Sequence, residues 1–319
     1  MTYNDLLDAR FANLNLPASP ASLYDPIRYT IALGGKRIRP KLVCLACALN
    51  GGQATDAVEA GVAVELLHNF TLIHDDIMDN ADTRRGQPTV FKKWSPSIAI
   101  LSGDALFTVS IATLSAYASH PAFARMNSVF LDGILKVCEG QAYDMEFESR
   151  TDVTLDEYLT MIELKTSVLL QKGMELGAMV AGADDTDIRI TGDVGLKAGL
   201  AFQIQDDLMD AIADPKKFGK KVCGDIREGK KTFLTLALLE VCTADEQSYV
   251  MGILQQKSAD DDDVKRMLEL YAQYGIFKLA NGEIRRLYDQ AMDLLAHFPE
   301  TSARHEIIAL LNQLMHRES

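Results

Sequence analysis

The feature that most constrains this chain is a five-residue pattern, Asp-Asp-x-x-Asp, which occurs twice. The copies are Asp75-Asp76-Ile77-Met78-Asp79 and Asp206-Asp207-Leu208-Met209-Asp210, their first residues 206 − 75 = 131 positions apart. Each closes an apolar, helix-forming run, FTLIHDDIMDN and LAFQIQDDLMD. In a helix, positions i and i+4 share a face and the next residue flanks it. Each copy therefore puts a patch of carboxylates on one helix face beside apolar residues, and like-charge repulsion opposes that arrangement. Two facing patches become favourable when divalent cations lie between them. Mg²⁺ suits the role, because it takes oxygen ligands, keeps waters and bridges one or two carboxylates to substrate phosphates. The expectation is a diphosphate held by metal between two helices.

The rest of the chain agrees with a helical frame. Apolar residues recur at three and four in Leu42–Leu49, Val58–Ile77, Ile98–Tyr117, Phe130–Phe147, Leu155–Val180 and Ile188–Ile212, and then in further helices to the end. Strand signals are nearly absent, with no Asn-Gly or Asp-Gly hairpin. Thr154 with Glu157 and Thr243 with Glu246 fit the capping box and mark two helix starts. Loops are expected at Gly51-Gly52, Pro88, Pro96, Pro121, Gly182–Asp187 and Asp214–Lys231, with Lys165-Thr166 interrupting a helix. The run Asp260–Asp263 reads as the negative first turn of a surface helix, and Asp184, Asp185 and Asp187 as the start of another. The helices around both Asp motifs are apolar on nearly every face, as central helices wrapped by others would be. No linker divides residues 1–319, which are expected to form a single large all-α domain.

Composition narrows the partners. A net charge of −13 and a pI near 4.9 argue against nucleic acid. Five cysteines show no framework spacing, and the lone C-x-x-C at Cys44 and Cys47 has no second pair to complete a zinc site. The N-terminus has neither a cationic start nor an apolar core, so a cytoplasmic protein is expected. The most apolar window, Ile98 to Ala118, contains Asp104 and several Ser and Thr, and reads as a buried bundle helix with no membrane span.

Basic residues gather near the carboxylates despite the negative total. GGKRIRP supplies Lys36, Arg37 and Arg39, and DTRRGQP places Arg84 and Arg85 just after the first motif. Lys220 and Lys230 fall in FGKKVCGDIREGKKT, beyond the second. Arginine grips phosphate with a planar fork, and lysine neutralises it as a point charge.

Taken in order, GGKRIRP, LLHNFTLIHDDIMDNADTRRGQPTV, GQAYDMEF, KTSVLL, FQIQDDLMD and EGKKT span roughly residues 25 to 235. In that combination the chain resembles the trans-isoprenyl diphosphate synthases, the farnesyl and geranylgeranyl diphosphate synthase family. The resemblance implies the isoprenoid synthase fold, a helical bundle around a deep central cavity, usually as a homodimer. It implies three Mg²⁺ ions, replaceable by Mn²⁺: Asp75 and Asp79 bind two with Asp76 in support, and Asp206 binds the third with Asp207 and Asp210 nearby. Arg84, Lys165 and Lys230 would hold the diphosphate of the allylic substrate (dimethylallyl, geranyl or farnesyl), assisted by Lys220. Lys36, Arg39, His68 and Arg85 would hold that of isopentenyl diphosphate. Thr166 and Gln203 would sit at the reacting carbons, where their oxygens stabilise positive charge.

Such chemistry suits these residue types. Metal and Arg/Lys neutralise the charge that develops on departing pyrophosphate. The alkene of isopentenyl diphosphate attacks the allylic cation, and pyrophosphate takes the proton, in a cavity dry enough to keep water away. Cys223 departs from the family, which usually has glycine there, and LMHRES lacks the basic C-terminal cluster of some members. A di-iron bundle would need a second Glu-x-x-His beside Glu65-x-x-His68. A terpene cyclase has no use for the second Asp motif, and a non-catalytic regulatory subunit would have lost one. The growing tail is expected to run back from Asp75 along its helix. Phe70 lies about 7.5 Å back at 1.5 Å per residue, and the resemblance makes an aromatic at that position the floor of the tail, with small Thr71 beside it and Val64 and Leu67 deeper. One aromatic in place of two, and a first motif without the two extra residues of common bacterial C15 enzymes, resemble synthases that stop at C20. Geranylgeranyl diphosphate is the expected product, with farnesyl diphosphate the alternative.

Overall fold

The computed structural model describes residues 1–212 and 223–315. Its backbone gathers into two compact units: 1–134 with 172–192 and 298–307, and 135–171 with 193–297 and the C-terminal stretch from 308. Almost every element is a helix, and the short caps read from sequence are where the helices begin.

In the first unit, α1 (Tyr3–Ala12) starts at a Thr2–Asp5 capping box and buries Leu7 and Phe11. Helix α2 (Ala21–Ala32) and α3 (Ile38–Leu49) follow, and α3 buries both Cys44 and Cys47 as small apolar residues. Helix α4 (Val58–Met78) is the axis of this unit. It is buried from Val58 through Asn69 on almost all faces, and it carries the first Asp motif at its C-terminal end. It packs against α3 and α6 (Pro96–Leu114), reached through the single turn α5 (Val90–Lys93). Leu66, Ile73, Ala99 and Leu106 lie in the shared core, each at or near zero exposure. Full burial of such a side chain contributes about 1.5–3 kcal/mol.

Helix α7 (Phe123–Phe147) begins seven residues before the periodicity suggested. In the second unit, α8 (Leu155–Ile162) opens on the Thr154–Glu157 capping box. The chain then winds through a π-helical turn, Glu163–Ser167, into α9 (Val168–Val180). The expected interruption at Lys165-Thr166 is this turn, with helix on either side of it. Helix α10 (Asp185–Ile212) begins on Asp184, whose side chain accepts from the Thr186 and Asp187 amides, and carries the second Asp motif at its far end. Its Leu200, Ile204 and Leu208 are buried with residues of α12 (Phe233–Val241), α13 (Ala244–Gln256), α14 (Asp261–Gln273) and α15 (Ile276–Leu295). The short α11 (Gly224–Arg227) precedes α12, and α16 (Ser302–Met315) closes the described chain. Asp260 caps α14 in a capping box with Asp263, which accounts for that acidic run.

Three features depart from the sequence reading. Pro96, expected in a loop, is the first residue of α6, behind the Ser95 side-chain cap. A two-stranded hairpin, β1 (Thr83–Arg84) with β2 (Gln87–Pro88), follows the first Asp motif. Its turn residues Arg85 and Gly86 both have positive φ, so Arg-Gly takes the place usually held by Asn-Gly. Finally, the stretch Pro96–Tyr117 is long and apolar enough to cross a membrane, but only 33% of its most apolar window is buried inside the chain. It is not the fully buried helix expected: one face packs on α4, while Ile100 and Leu101 are 47% and 56% exposed.

Candidate active site

The predicted site residues fall into two sets, one in each unit. In the first, Asp75 and Asp76 end α4 and Asp79 is its C-cap. Asp79 is exposed and Asp75 half-buried, whereas Asp76 is turned inward at 3% exposure. Arg84 reaches back from the hairpin and sets Nε and Nη2 each 2.7 Å from Asp76 Oδ1. Burial pushes the Asp76 carboxyl up against the pull of that guanidinium. The hairpin is itself pinned, since Thr89 donates to the Ala81 carbonyl at 2.9 Å and Tyr29 to that of Pro88 at 2.7 Å.

The same hairpin aims Arg85 at the GGKRIRP loop. Gly35 has φ +148, and a β-carbon there would lie 2.9 Å from Arg85 Nη2, so the bare glycine is what lets the guanidinium lie against this loop. Lys36 stands exposed beside it, and Arg39 lies half-buried in the first turn of α3. Arg37 is used otherwise: it pairs with Asp8 at 2.9 Å and stacks over Phe11 at 4.3 Å. His68, half-buried on α4, has its imidazole pushed well down, first by burial and then by Arg39, Arg85 and Arg84. It stays neutral among cations. One turn earlier, Glu65 is 5% exposed. Burial raises its carboxyl while Arg39, Arg85 and Arg37 lower it. Two arginines, a neutral imidazole and a buried counter-charge make a cradle suited to an anion. Phe70 packs on His74 and Phe107 at 4.8 and 5.3 Å between ring centroids, and Thr71 donates to the His68 carbonyl.

The second set is built on the π-helical turn. Such turns are rare, and they are frequent at functional sites. Here the turn holds Lys165 and Thr166 and is pressed by glycines of two helices. A β-carbon on Gly140 of α7 would lie 2.3 Å from the Lys165 amide nitrogen, and one on Gly199 of α10 would lie 2.6 Å from Ser167 Cα. Lys165 Nζ is 2.5 Å from Asp144 Oδ2. Thr166 donates to Gln203 Oε1 at 3.1 Å.

On α10, Asp206 is exposed and Asp207 is turned inward at 6% exposure. Asp207 accepts from the Tyr158 hydroxyl, from the Phe233 amide at 3.0 Å and from Gln203 Nε2 at 3.4 Å. Burial pushes its carboxyl up to about 6 against those donors. Asp210 accepts from the Gly224 and Asp225 amides at 3.2 and 3.0 Å and so caps α11. Cys223, just before, has φ +59, the left-handed region that glycine enters freely and that costs other residues about 1–2 kcal/mol. Asp225 is pushed up to about 7 by burial, then by Asp210 and Asp207, with Lys230 opposing. Lys230 itself is exposed, 3.0 Å from Glu228. Lys220 lies outside the described residues.

The two motifs thus share a plan. The second Asp of each is buried and spoken for by protein donors, while Asp79 and Asp206 face solvent. Among the described residues no three His, Cys, Asp or Glu side chains converge as a ready-made cage. A few exposed carboxylates with hard oxygen donors still fit Mg²⁺, which completes its shell with water and phosphate oxygens. Asp144, Tyr158 and Asp225 join the candidate site with no role assigned to them from sequence, and Glu65 is read there only as half of a Glu-x-x-His pair. Asp144 lies inside GQAYDMEF and Asp225 inside FGKKVCGDIREGKKT, whereas Tyr158 lies in no such motif.

The polyprenyl synthetase family model matches residues 20–271. A geranylgeranyl diphosphate synthase of Sulfolobus acidocaldarius is 41% identical over 86% of this chain and 83% of its own. A geranylfarnesyl diphosphate synthase of Aeropyrum pernix is 35% identical over 93% of each. The crystal structure of geranylgeranyl pyrophosphate synthetase from Pyrococcus horikoshii superposes with a TM-score of 0.92 at 35% identity, covering 99% of this chain and 96% of that one.

Proposed function

The chain belongs to the polyprenyl synthetase family and is a prenyltransferase, and from that premise we propose that it condenses an allylic diphosphate with isopentenyl diphosphate to give geranylgeranyl diphosphate. The observation that carries the reading is that each unit holds one half of the required chemistry. A cradle of Arg39, Arg85 and neutral His68 sits in one unit, and Lys165, Thr166 and Gln203 sit around a π-helical turn in the other. Asp75, Asp79 and Asp206 would hold three Mg²⁺ ions. Bound there, the metal would supply positive charge to stabilise the departing pyrophosphate.

The protein's own groups do the rest. Lys165 exchanges Asp144 for the allylic diphosphate, a ligand that the resemblance also gives to Arg84 and Lys230. Lys36, Arg39, His68 and Arg85 orient isopentenyl diphosphate, with His68 neutral so that it hydrogen-bonds without adding charge. The Thr166 and Gln203 oxygens face the allylic cation. The chemistry calls for a dry site, and the residues flanking each Asp motif on its own helix are largely apolar.

For chain length, Phe70 with Thr71 supports a C20 floor on α4, in line with the geranylgeranyl relative. The geranylfarnesyl relative favours C25 as the second reading. The exposed apolar face of α6, with Leu131 of α7 at 42% exposure, supports a homodimer. The test is one incubation of radiolabelled isopentenyl diphosphate with dimethylallyl, geranyl and farnesyl diphosphates, followed by chromatography of the dephosphorylated products. A C20 main product is expected. C15 or C25 would correct the length, and no condensation with any starter would overturn the reading.

A further inference from the structure

Within the second unit a chain of hydrogen bonds runs from the core to the residue that faces the cation. Tyr158 and the Phe233 amide both donate to Asp207 Oδ2, and Gln203 Nε2 donates to Oδ1. Asp207 therefore accepts at both oxygens, and the contact at Oδ1 comes from the amide nitrogen of Gln203. Gln203 must then turn its NH₂ toward Asp207, and its Oε1 faces the other way, 3.1 Å from Thr166 Oγ1. A carbonyl oxygen only accepts. The single proton of the Thr166 hydroxyl is therefore committed to Gln203. What remains for the substrate is lone pairs.

We infer that Asp207 and Tyr158 are positioning residues that set the polarity of Thr166. By fixing the Gln203 amide, they keep the threonine hydroxyl as an electron-pair donor to positive charge on the allylic carbons. The inference rests on the prenyltransfer reading above, and it gives the second Asp of the second motif a task separate from metal binding. The opposite amide orientation would set Oε1 against Asp207 and NH₂ against Thr166. The amide oxygen would then meet the carboxylate acceptor to acceptor, which is unfavourable, and the hydroxyl proton, no longer committed to Gln203, would be free to point at the cation.

The alternative role, metal ligation by Asp207, makes different predictions. D207N, T166V and the double variant form a cycle, read as kcat and as KM for each diphosphate. A second readout, independent of turnover, is the rise in Tm that Mg²⁺ with inorganic pyrophosphate gives each protein. D207N lets the introduced amide face Gln203 Oε1, so its kcat is expected to fall about ten- to a hundred-fold while both KM values stay within two-fold. The Mg²⁺ concentration for half-maximal thermal protection should not move, whereas D206N should raise it. In the T166V background D207N should cost almost nothing further, because its effect passes through the missing hydroxyl. Y158F, a milder change that leaves the Phe233 donor, should lower kcat a few-fold in the same pattern and serves if D207N folds poorly. Additive losses, or a Mg²⁺ midpoint in D207N that shifts as in D206N, overturn the inference and leave the prenyltransfer reading standing. A wild-type protein that condenses no starter removes both.

Discussion

Gly140→Ala tests whether the π-helical turn is the device that places Lys165 and Thr166. The new β-carbon would sit 2.3 Å from the Lys165 amide nitrogen and 2.7 Å from Leu164 C and Lys165 Cα. These are backbone atoms and cannot swing aside. Reaching even a tight 3.4 Å contact requires about 3.4 − 2.3 = 1.1 Å of movement. Misplacing a catalytic group by about 1 Å costs on the order of 10²-fold in rate, which corresponds to about 2.7 kcal/mol of barrier. The stability cost should be smaller. Overpacking takes about 1–3 kcal/mol, and replacing a mid-helix glycine by alanine returns roughly 0.5–1 kcal/mol. The expected variant therefore folds, melts a few degrees lower and loses most of its kcat. Gly252→Ala is the control, since a β-carbon added to that glycine on α13 would meet nothing within 4 Å. It should gain stability and keep wild-type kcat. Circular-dichroism melts and steady-state assays on the two variants decide the matter. A Gly140→Ala enzyme with kcat within two-fold of wild type would refute the view that helix contact at Gly140 sets the geometry of the turn.

Four further expectations follow from named contacts. Asp75→Ala, Asp79→Ala and Asp206→Ala should each lower kcat by orders of magnitude with the fold intact, and excess EDTA should abolish turnover; full activity in EDTA would sink the metal assignment. Gly35→Ala should raise KM for isopentenyl diphosphate as Arg85→Ala does, because its β-carbon meets Arg85 Nη2 at 2.9 Å, and the double variant should be no worse than Arg85→Ala alone; additivity would show the two act separately. Phe70→Ala should shift products beyond C20 and Thr71→Phe toward C15, read by product chromatography, while unchanged products in Phe70→Ala would place the floor elsewhere. For His68, the folded imidazole sits below its unfolded value of about 6.5, so below that pH only the unfolded chain gains the proton. Stability should then fall as pH drops, by up to about 1.4 kcal/mol per pH unit. Urea denaturation from pH 7.5 to 5 should show a shallower fall in His68→Asn, and equal slopes would exclude His68 as the source.

The sequence by itself determined the helices, marked several of their caps and singled out the two acidic motifs. Periodicity, a Thr154–Glu157 box or an Asp-Asp-x-x-Asp run acts across three to seven residues, so local pattern is enough to read it. Phe70, Thr166 and Gln203 are singled out through a resemblance for the same reason: each stands in an ordered motif. The tertiary structure alone decided which carboxylates face inward. Asp76 and Asp207 look identical to Asp75 and Asp206 in sequence. They differ because Arg84 reaches one, and because Tyr158, 49 residues away, and the Phe233 amide, 26 away, converge on the other. In sequence Glu65 is only half of an incomplete metal motif, and its role as a buried counter-charge emerges once Arg39 and Arg85 are folded around it. The Arg85-Gly86 hairpin is hidden from sequence because arginine is a poor left-handed residue by local preference. It adopts that conformation in a hairpin anchored by Tyr29, Thr89 and the Arg84–Asp76 pair. Local preference is written in neighbouring residues; desolvation, charge pairing and donor supply are set by residues far apart in the chain, and they exist only after folding has brought those residues together.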